Sequence, residues 1–265
     1  MYSSFTILKK FIAYYLKASN GKGHGIHSPF VYSFIREVIN TKSDGDLPNK
    51  IEAIRHKLLC DETVLEVEDF GAGSASGLTN KRTVKRIAST SLKTKKYAAL
   101  LYRIVQRNES KTIVELGTSL GITTSYLASA VPSACVYTFE GADAVAEKAK
   151  SVFDLLQLKN INLIKGSFQK TLPEFLKKIN QIDFAFLDGH HQYEATVRYF
   201  EWLLPKIPES GIVILDDIHW SKGMEQAWEE IRRHPRVKIS IDLFFVGILF
   251  FRSEQFEQEH FTIRF

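Results

Sequence analysis

The chain has 265 residues, 45% of them apolar and 25% charged, with 35 Lys or Arg against 30 Asp or Glu for a net charge of +5. That balance excludes a disordered chain, and at about 150 residues per domain it leaves room for one domain with a sizeable extension or for two small ones. The longest nearly unbroken apolar run, Leu243 to Phe251, is about half of the ~20 residues a membrane-spanning helix needs.

Up to about residue 110 the pattern is helices and loops. Phe5 to Ala18 reads as a first helix and Pro29 to Ile39 as a second, with Ser28 as N-cap and proline at the first helical position. Lysines interrupt the apolar N-terminal stretch and no small-residue cleavage site follows it, so secretion is not expected. Glycines at 21, 23 and 25 make the segment between the helices a loop, and its His24 and His27 are read as loop or packing residues with a catalytic role left open. A second loop, TKSDGDLPN, precedes a helical stretch from Lys50 to about Cys60. Cys60 and Cys135 share neither a disulfide framework nor a CxxC spacing, which suits a reducing cytoplasm.

Residues 66 to 77, EVEDFGAGSASG, are rich in glycine, yet Ser76 stands where a third glycine would complete GxGxxG and the basic KRTVKR follows instead of an amphipathic helix. This is read as a surface or lid loop. Lys81 to Arg107 holds nine Lys or Arg and no acid. Its second half places Tyr97, Leu100, Leu101, Ile104 and Val105 on one side, which predicts a helix packed on a sheet with a basic outer face. Nucleic-acid binding is the alternative, disfavoured because interleaved exposed aromatics are missing.

From Lys111 apolar runs of four to seven residues (TIVEL, CVYTFE, INLIKG, IDFAFLD, GIVILDD) alternate with helical segments such as Asp143 to Leu158 and Tyr193 to Leu204. Continuous apolar strands separated by helices predict a parallel sheet covered on both faces. Val237 to Arg252 is largely apolar without a helix-length insertion, so it predicts two antiparallel strands turning near Phe244 to Gly247. The boundaries expected are a helical extension or cap over 1–110 and a ligand-binding α/β domain over 111–265.

The first strand-to-helix turn, VELGTSLGITTSYLA, carries Gly117, where the backbone turns, and Gly121, where a ligand approaches. Glu115 ends the first strand, and Glu140 ends the second, 19 residues after Gly121, where a carboxylate takes a ribose hydroxyl pair. An ordinary strand-to-helix turn explains the glycines equally well, but not the two acids. The GxxxG spacing departs from the GxGxxG of nicotinamide enzymes, and Glu115 would repel a pyrophosphate and welcome a cationic ligand.

On these residues the chain resembles the class I S-adenosylmethionine-dependent methyltransferases, and within them the catechol O-methyltransferase-like branch, over about residues 111 to 252. HGIHSPFV, residues 24–31, is similar to a stretch in bacterial proteins carrying this domain. The resemblance implies a Rossmann-like α/β fold, a seven-stranded mostly parallel sheet with the last strand antiparallel. It implies that S-adenosylmethionine is held by Glu115, Gly117, Thr118, Gly121, Thr123, Glu140, Gly141, Ser167, Phe168 and Asp188. The methionine part would lie on the first turn, the ribose on Glu140 and the adenine beside Gly166 to Phe168.

FAFLDGHHQYE and IVILDDIHW end two strands with Asp188, Asp216 and Asp217. Neighbouring strand ends lie about 5 Å apart, so these three form a hard oxygen site suited to Mg²⁺ or another divalent cation, unless they are turn and capping residues. The resemblance implies the metal reading, because metal-dependent O-methyltransferases carry an Asp at the fourth-strand end and a pair at the fifth. It also implies a base three residues after Asp188, a lysine in the catechol-type pattern and His191 here. His190 is a second candidate. The expected function is methylation of a hydroxyl on a small molecule, with Asp188 and His191 catalytic. An RNA or protein methyltransferase and a non-catalytic S-adenosylmethionine-binding protein are the alternatives, with a nicotinamide enzyme more distant. The extension suits a lid or a homodimer contact, and no membrane partner is expected.

Overall fold

The computed structural model describes residues 1–23, 25–41, 49–67 and 81–265. His24, nearly all of the TKSDGDLPN loop and residues 68–77 of the glycine-rich stretch lie outside the described residues. The first elements in chain order are α1 (Ser4–Lys17), α2 (Pro29–Phe34) running into a π-helical turn (Ile35–Ile39), α3 (Asn49–Leu59), β1 (Val64–Glu66), β2 (Lys81–Thr83), α4 (Val84–Ser91) and α5 (Lys95–Arg107). Then come β3 (Thr112–Leu116), α6 (Ile122–Ala130), β4 (Cys135–Glu140), α7 (Asp143–Leu155), β5 (Ile161–Lys165) and α8 (Phe168–Leu176). The last are β6 (Phe184–Leu187), α9 (Tyr193–Leu203) with a 3₁₀ turn (Leu204–Lys206), β7 (Ile212–Asp216), α10 (Lys222–Arg232), β8 (Ile239–Asp242), β9 (Val246–Phe250) and β10 (Glu259–Thr262).

Contacts divide the chain into two compact units, Ser43–Asn180 and Met1–Lys42 with Gln181–Phe265. In the central unit β3, β4 and β5 are parallel, in the order written, with Glu115 opposite Thr138 and Glu140 opposite Lys165. The alternation of β3, β4 and β5 with α6 and α7 is the one the sequence predicts. Helix α5 buries Ala98, Leu100, Leu101, Ile104 and Val105, so the second half of the basic stretch is an amphipathic helix as read, packed against α6 where the sheet was expected, while the first half forms β2 and α4. Ahead of it β1 and β2 pair antiparallel, a hairpin where only helices and loops were expected. Three-residue strands are too short for a period-2 pattern to register. Lys148 of α7 clasps the base of this hairpin through Asp61 at 2.6 Å, which holds the Asp61 carboxyl down at about 2. From α3, Glu52 accepts the Tyr126 hydroxyl at 2.7 Å and pairs with the Arg55 Nε at 3.0 Å.

In the other unit β6 and β7 are parallel and β9 runs antiparallel to both β7 and β8. The seven strands expected between 111 and 252 are therefore β3 to β9, the last antiparallel, and the expected turn falls at residues 243–245, with Phe244 at a φ of 70°. Beyond them β10 pairs parallel with β8, a strand the sequence does not announce because EHFT is short and mostly polar. Gly247 lies under Trp228 of α10, where a Cβ would come within 2.4 Å of the indole. Helix α1, capped by Ser3, lays Ile7, Phe11, Tyr14 and Ala18 against Phe244, and the Tyr14 hydroxyl bonds the Ile263 carbonyl.

Candidate active site

In the central unit the turn after β3 is built by backbone. Gly117 adopts a φ of 108°, and its N–H and that of Thr118 both donate to the Phe139 carbonyl at 3.0 Å. Ser119 (φ 48°) and Gly121 (φ 78°) complete the left-handed path into α6. Gly121 is required by packing: a Cβ there would lie 2.5 Å from the Phe153 ring. The open approach expected at Gly121 is therefore corrected; its missing side chain lets α7 close on the turn, and a ligand would meet backbone alone.

Glu115 is fully buried at the end of β3. Its Oε2 accepts from Thr124 at 2.5 Å and Thr138 at 2.7 Å, and its Oε1 has no hydrogen-bond partner. Burial raises its pKa to about 7 against the pull of the two hydroxyls. Glu140, at the end of β4, accepts the N–H of Ser119 on Oε2 at 2.8 Å and of Ala142 on Oε1 at 3.0 Å. Burial raises its pKa as well, opposed by those backbone donors. A carboxylate offers about four lone-pair sites, so with the N–H of Gly141 also directed at it Glu140 keeps capacity for a hydroxyl donor.

The remaining expected cofactor residues divide. Gly166 (φ 114°) donates its N–H to the Glu140 carbonyl at 2.8 Å, which brings the turn bearing Ser167 and Phe168 beside the end of β4, where Gly141 also lies. The Phe168 ring is buried edge-on to Phe139. Thr118 and Thr123 are buried, and the Thr118 hydroxyl lies 2.6 Å from that of Thr138, so it belongs to the support under Glu115. Sequence reasoning missed Thr124, Thr138 and the Ser119 N–H. Thr138 had a signal, since it precedes Glu140 by two and shares its side of the strand.

In the other unit, Leu187 of β6 pairs with Leu215 of β7, so Asp188 and Asp216 are the next residues on two parallel, neighbouring strands. Ligand atoms of Asp188, Asp216 and His191 all lie within 4.8 Å of one another. Asp216 is buried, the other two half-buried. The His191 Nε2 stands 3.5 Å from Asp188, and its Nδ1 4.0 Å from Asp217. Asp217 thus flanks the histidine, and His191 takes the third place in the cluster assigned to Asp217 from the sequence. The reason is geometric: consecutive side chains of a strand point to opposite faces, and Asp217 turns at a φ of 53°.

Three non-glycine residues in these two loops have positive φ, His190 (65°), His191 (36°) and Asp217 (53°), a concentration of strain typical of functional loops. The His190 Nδ1 lies 3.2 Å from the Tyr199 hydroxyl. Unannounced by the sequence, His219 is bridged by Asp242 at 2.9 Å and Glu225 at 3.0 Å. Those two carboxylates raise its pKa against desolvation. This clasp holds the loop that leaves Asp217.

Residues 114–218 match the family profile of a methyltransferase domain. A tRNA (guanine-N(7)-)-methyltransferase of Mycoplasma mobile is 39% identical over 110 residues, 39% of this chain and 55% of that enzyme, so the match spans about half the length of this curated relative. Among solved structures, an O-methyltransferase of Bacillus cereus in complex with S-adenosylhomocysteine superposes with a TM-score of 0.55 at 17% identity, over 83% of this chain and 97% of that one. An O-methyltransferase of Streptomyces achromogenes involved in tomaymycin synthesis, with S-adenosylmethionine bound, gives 0.54 at 18% identity over 62% and 82%. The fold is the Rossmann-like class I methyltransferase fold, as expected, and residues 114–218 are the part that matches the methyltransferase profile.

Proposed function

We propose that the protein transfers a methyl group from S-adenosylmethionine to a hydroxyl oxygen of a small molecule and that it takes a divalent cation. The observation that carries the reading is the convergence of Asp188, Asp216 and His191 at the ends of β6 and β7 in a methyltransferase domain. The residues fit both groups. Glu115 keeps a buried, unpartnered carboxylate oxygen suited to a cationic ligand, Glu140 keeps capacity for a ribose hydroxyl, and the carboxylates of Asp188 and Asp216 form a hard oxygen donor set for Mn²⁺ or Mg²⁺, with the His191 imidazole left beside them as the base.

When bound, the cofactor supplies a reactive sulfonium methyl and the cation lowers the pKa of the acceptor hydroxyl. The protein's own share is alignment and proton removal. Glu140 and the turn at Gly117 orient the donor, Asp188 and Asp216 anchor the cation, and His191 accepts the acceptor's proton. Asp217, 4.0 Å from the His191 Nδ1, stabilises the imidazolium so formed. Residues 1–110 are read as the part that selects the acceptor and 111–265 as the part that holds the cofactor. Both cysteines are free, which suits a reducing cytoplasm.

Titration with Mn²⁺, followed by calorimetry and electron paramagnetic resonance, tests this. Asp216→Asn is expected to weaken Mn²⁺ binding about tenfold or more, and His191→Ala to leave it within about threefold while cutting turnover by about 10² to 10⁴. No Mn²⁺ binding by wild-type protein would reduce the aspartates to turn residues. Equal losses in both variants would make His191 a ligand instead of the base.

A second reading, methylation of RNA, is favoured by the tRNA methyltransferase relative. Against it, Lys85 pairs with Glu62 at 2.7 Å and Lys81 with Glu66 at 3.5 Å, so part of the basic stretch is locally matched.

A further inference from the structure

Helix α1 is apolar on more of its circumference than the protein covers. Ile7, Phe11, Tyr14 and Ala18 face inward, while Phe5, Leu8, Ile12, Tyr15 and Leu16 are 49–74% exposed. At 100° per residue those five fall within about 100° of arc, a continuous outward stripe. With Met1 they make up six of the eleven large apolar residues exposed among the described residues, and Phe245, which stacks on Phe11, extends the patch.

The rim of the stripe is cationic. Lys9 sits over the Phe5 ring at 4.4 Å, Arg264 over the Tyr15 ring at 4.6 Å, and Lys17 is exposed in the last turn. Residues 1–36 carry five Lys or Arg and no acid. The helix is also held firmly: Lys10 pairs with Glu225 at 2.9 Å, and the Tyr2 hydroxyl donates to the same carboxylate at 2.8 Å. Its outer face is therefore presented in a fixed orientation.

We propose that this face seats the protein on an anionic lipid surface, with the apolar stripe among the upper acyl chains and the cations at the headgroup phosphates. Interfacial helices combine these features, an apolar face flanked by lysines. At 14 residues, about 21 Å, α1 lies on a bilayer and does not cross it, and no helix among the described residues is long and apolar enough to cross one. A second copy of the chain fits less well. Two such stripes would bring Lys9 and Lys17 toward their own like, with no acid on α1 to meet them, and each would offer on the order of 500 Å² against the roughly 800 Å² per partner of a standard interface. The proposal departs from the expectation of no membrane partner only for peripheral contact.

Cosedimentation of the full chain with vesicles tests the proposal. Wild-type protein should bind vesicles of phosphatidylcholine mixed with phosphatidylglycerol, bind those of phosphatidylcholine alone at least about tenfold more weakly, and be released by salt. The exposed pair Leu8→Glu and Ile12→Glu should lower binding at least about tenfold, and the pair Lys9→Glu and Lys17→Glu should do so by removing charge alone, with the thermal unfolding transition unchanged in both. Absence of binding to the anionic vesicles, or binding that survives both pairs, overturns the proposal. So does a dimer in analytical ultracentrifugation that Leu8→Glu and Ile12→Glu convert to a monomer, because the face then belongs to a second copy.

Discussion

Glu115 places both of its hydrogen bonds on one carboxylate oxygen and keeps the other buried and unmatched, so burial dominates its titration and its pKa rises from 4.5 to about 7. An acid whose pKa is raised by folding takes up a proton as it folds. Its stabilisation is complete below about pH 4.5 and is lost as the pH climbs to about 7, a loss of about 3 kcal/mol for a shift of this size. Urea unfolding of wild-type and Glu115→Gln across that window should show wild-type falling relative to the variant, with a constant difference above pH 7; parallel curves throughout would mean that the carboxyl does not titrate there. The acids themselves were legible, because Glu115, Glu140, Asp188 and Asp216 each close an apolar run that reads as a strand. Their partners were not. That Thr124 and Thr138 share one oxygen of Glu115, or that Asp217 yields its place to His191, depends on packing and on one backbone angle, neither of which leaves a periodic trace.

At the scale of elements, the two glycines that allow close approach are Gly121, between the turn after β3 and α7, and Gly247, between β9 and α10. Gly121→Ala meets Phe153 at 2.5 Å and a φ of 78°, and is expected to cost about 2–4 kcal/mol in denaturant titrations. Gly247→Ala meets Trp228 at 2.4 Å in a strand and should cost about 1–3 kcal/mol. A loss below about 0.5 kcal/mol at either position would show that the neighbouring ring yields freely. The Asp61–Lys148 clasp acts in the opposite pH direction to Glu115, since a depressed carboxyl pKa gives stability that is present above about pH 4 and is lost as the pH falls toward 2. The alternation of strands and helices from β3 to β9 could be read because each run is long enough for its period. The β1–β2 hairpin and β10 escaped because each strand has three or four residues and its pairing partner is distant in sequence or set by tertiary contacts.

For the molecule as a whole, the net charge of +5 raises the question of a nucleic-acid partner. The pairing of Lys81 and Lys85 with Glu66 and Glu62 argues that the basic stretch serves the fold. RNA binding by a random transcript should then be weak. Micromolar affinity falling steeply with salt, and lost on changing Lys81, Arg82, Lys85 and Arg86 to Ala, would put RNA methylation first. Isothermal titration calorimetry of S-adenosylmethionine into wild-type protein and Glu140→Ala decides whether residues 111–265 hold this cofactor as proposed. In the proposed role, Glu140 would give the ribose charge-assisted hydrogen bonds worth about 1.5 to 3 kcal/mol, so measurable wild-type binding, weakened about 10- to 150-fold in the variant, is expected. No detectable affinity of wild-type protein for S-adenosylmethionine, or tight binding of NAD in its place, would contradict it.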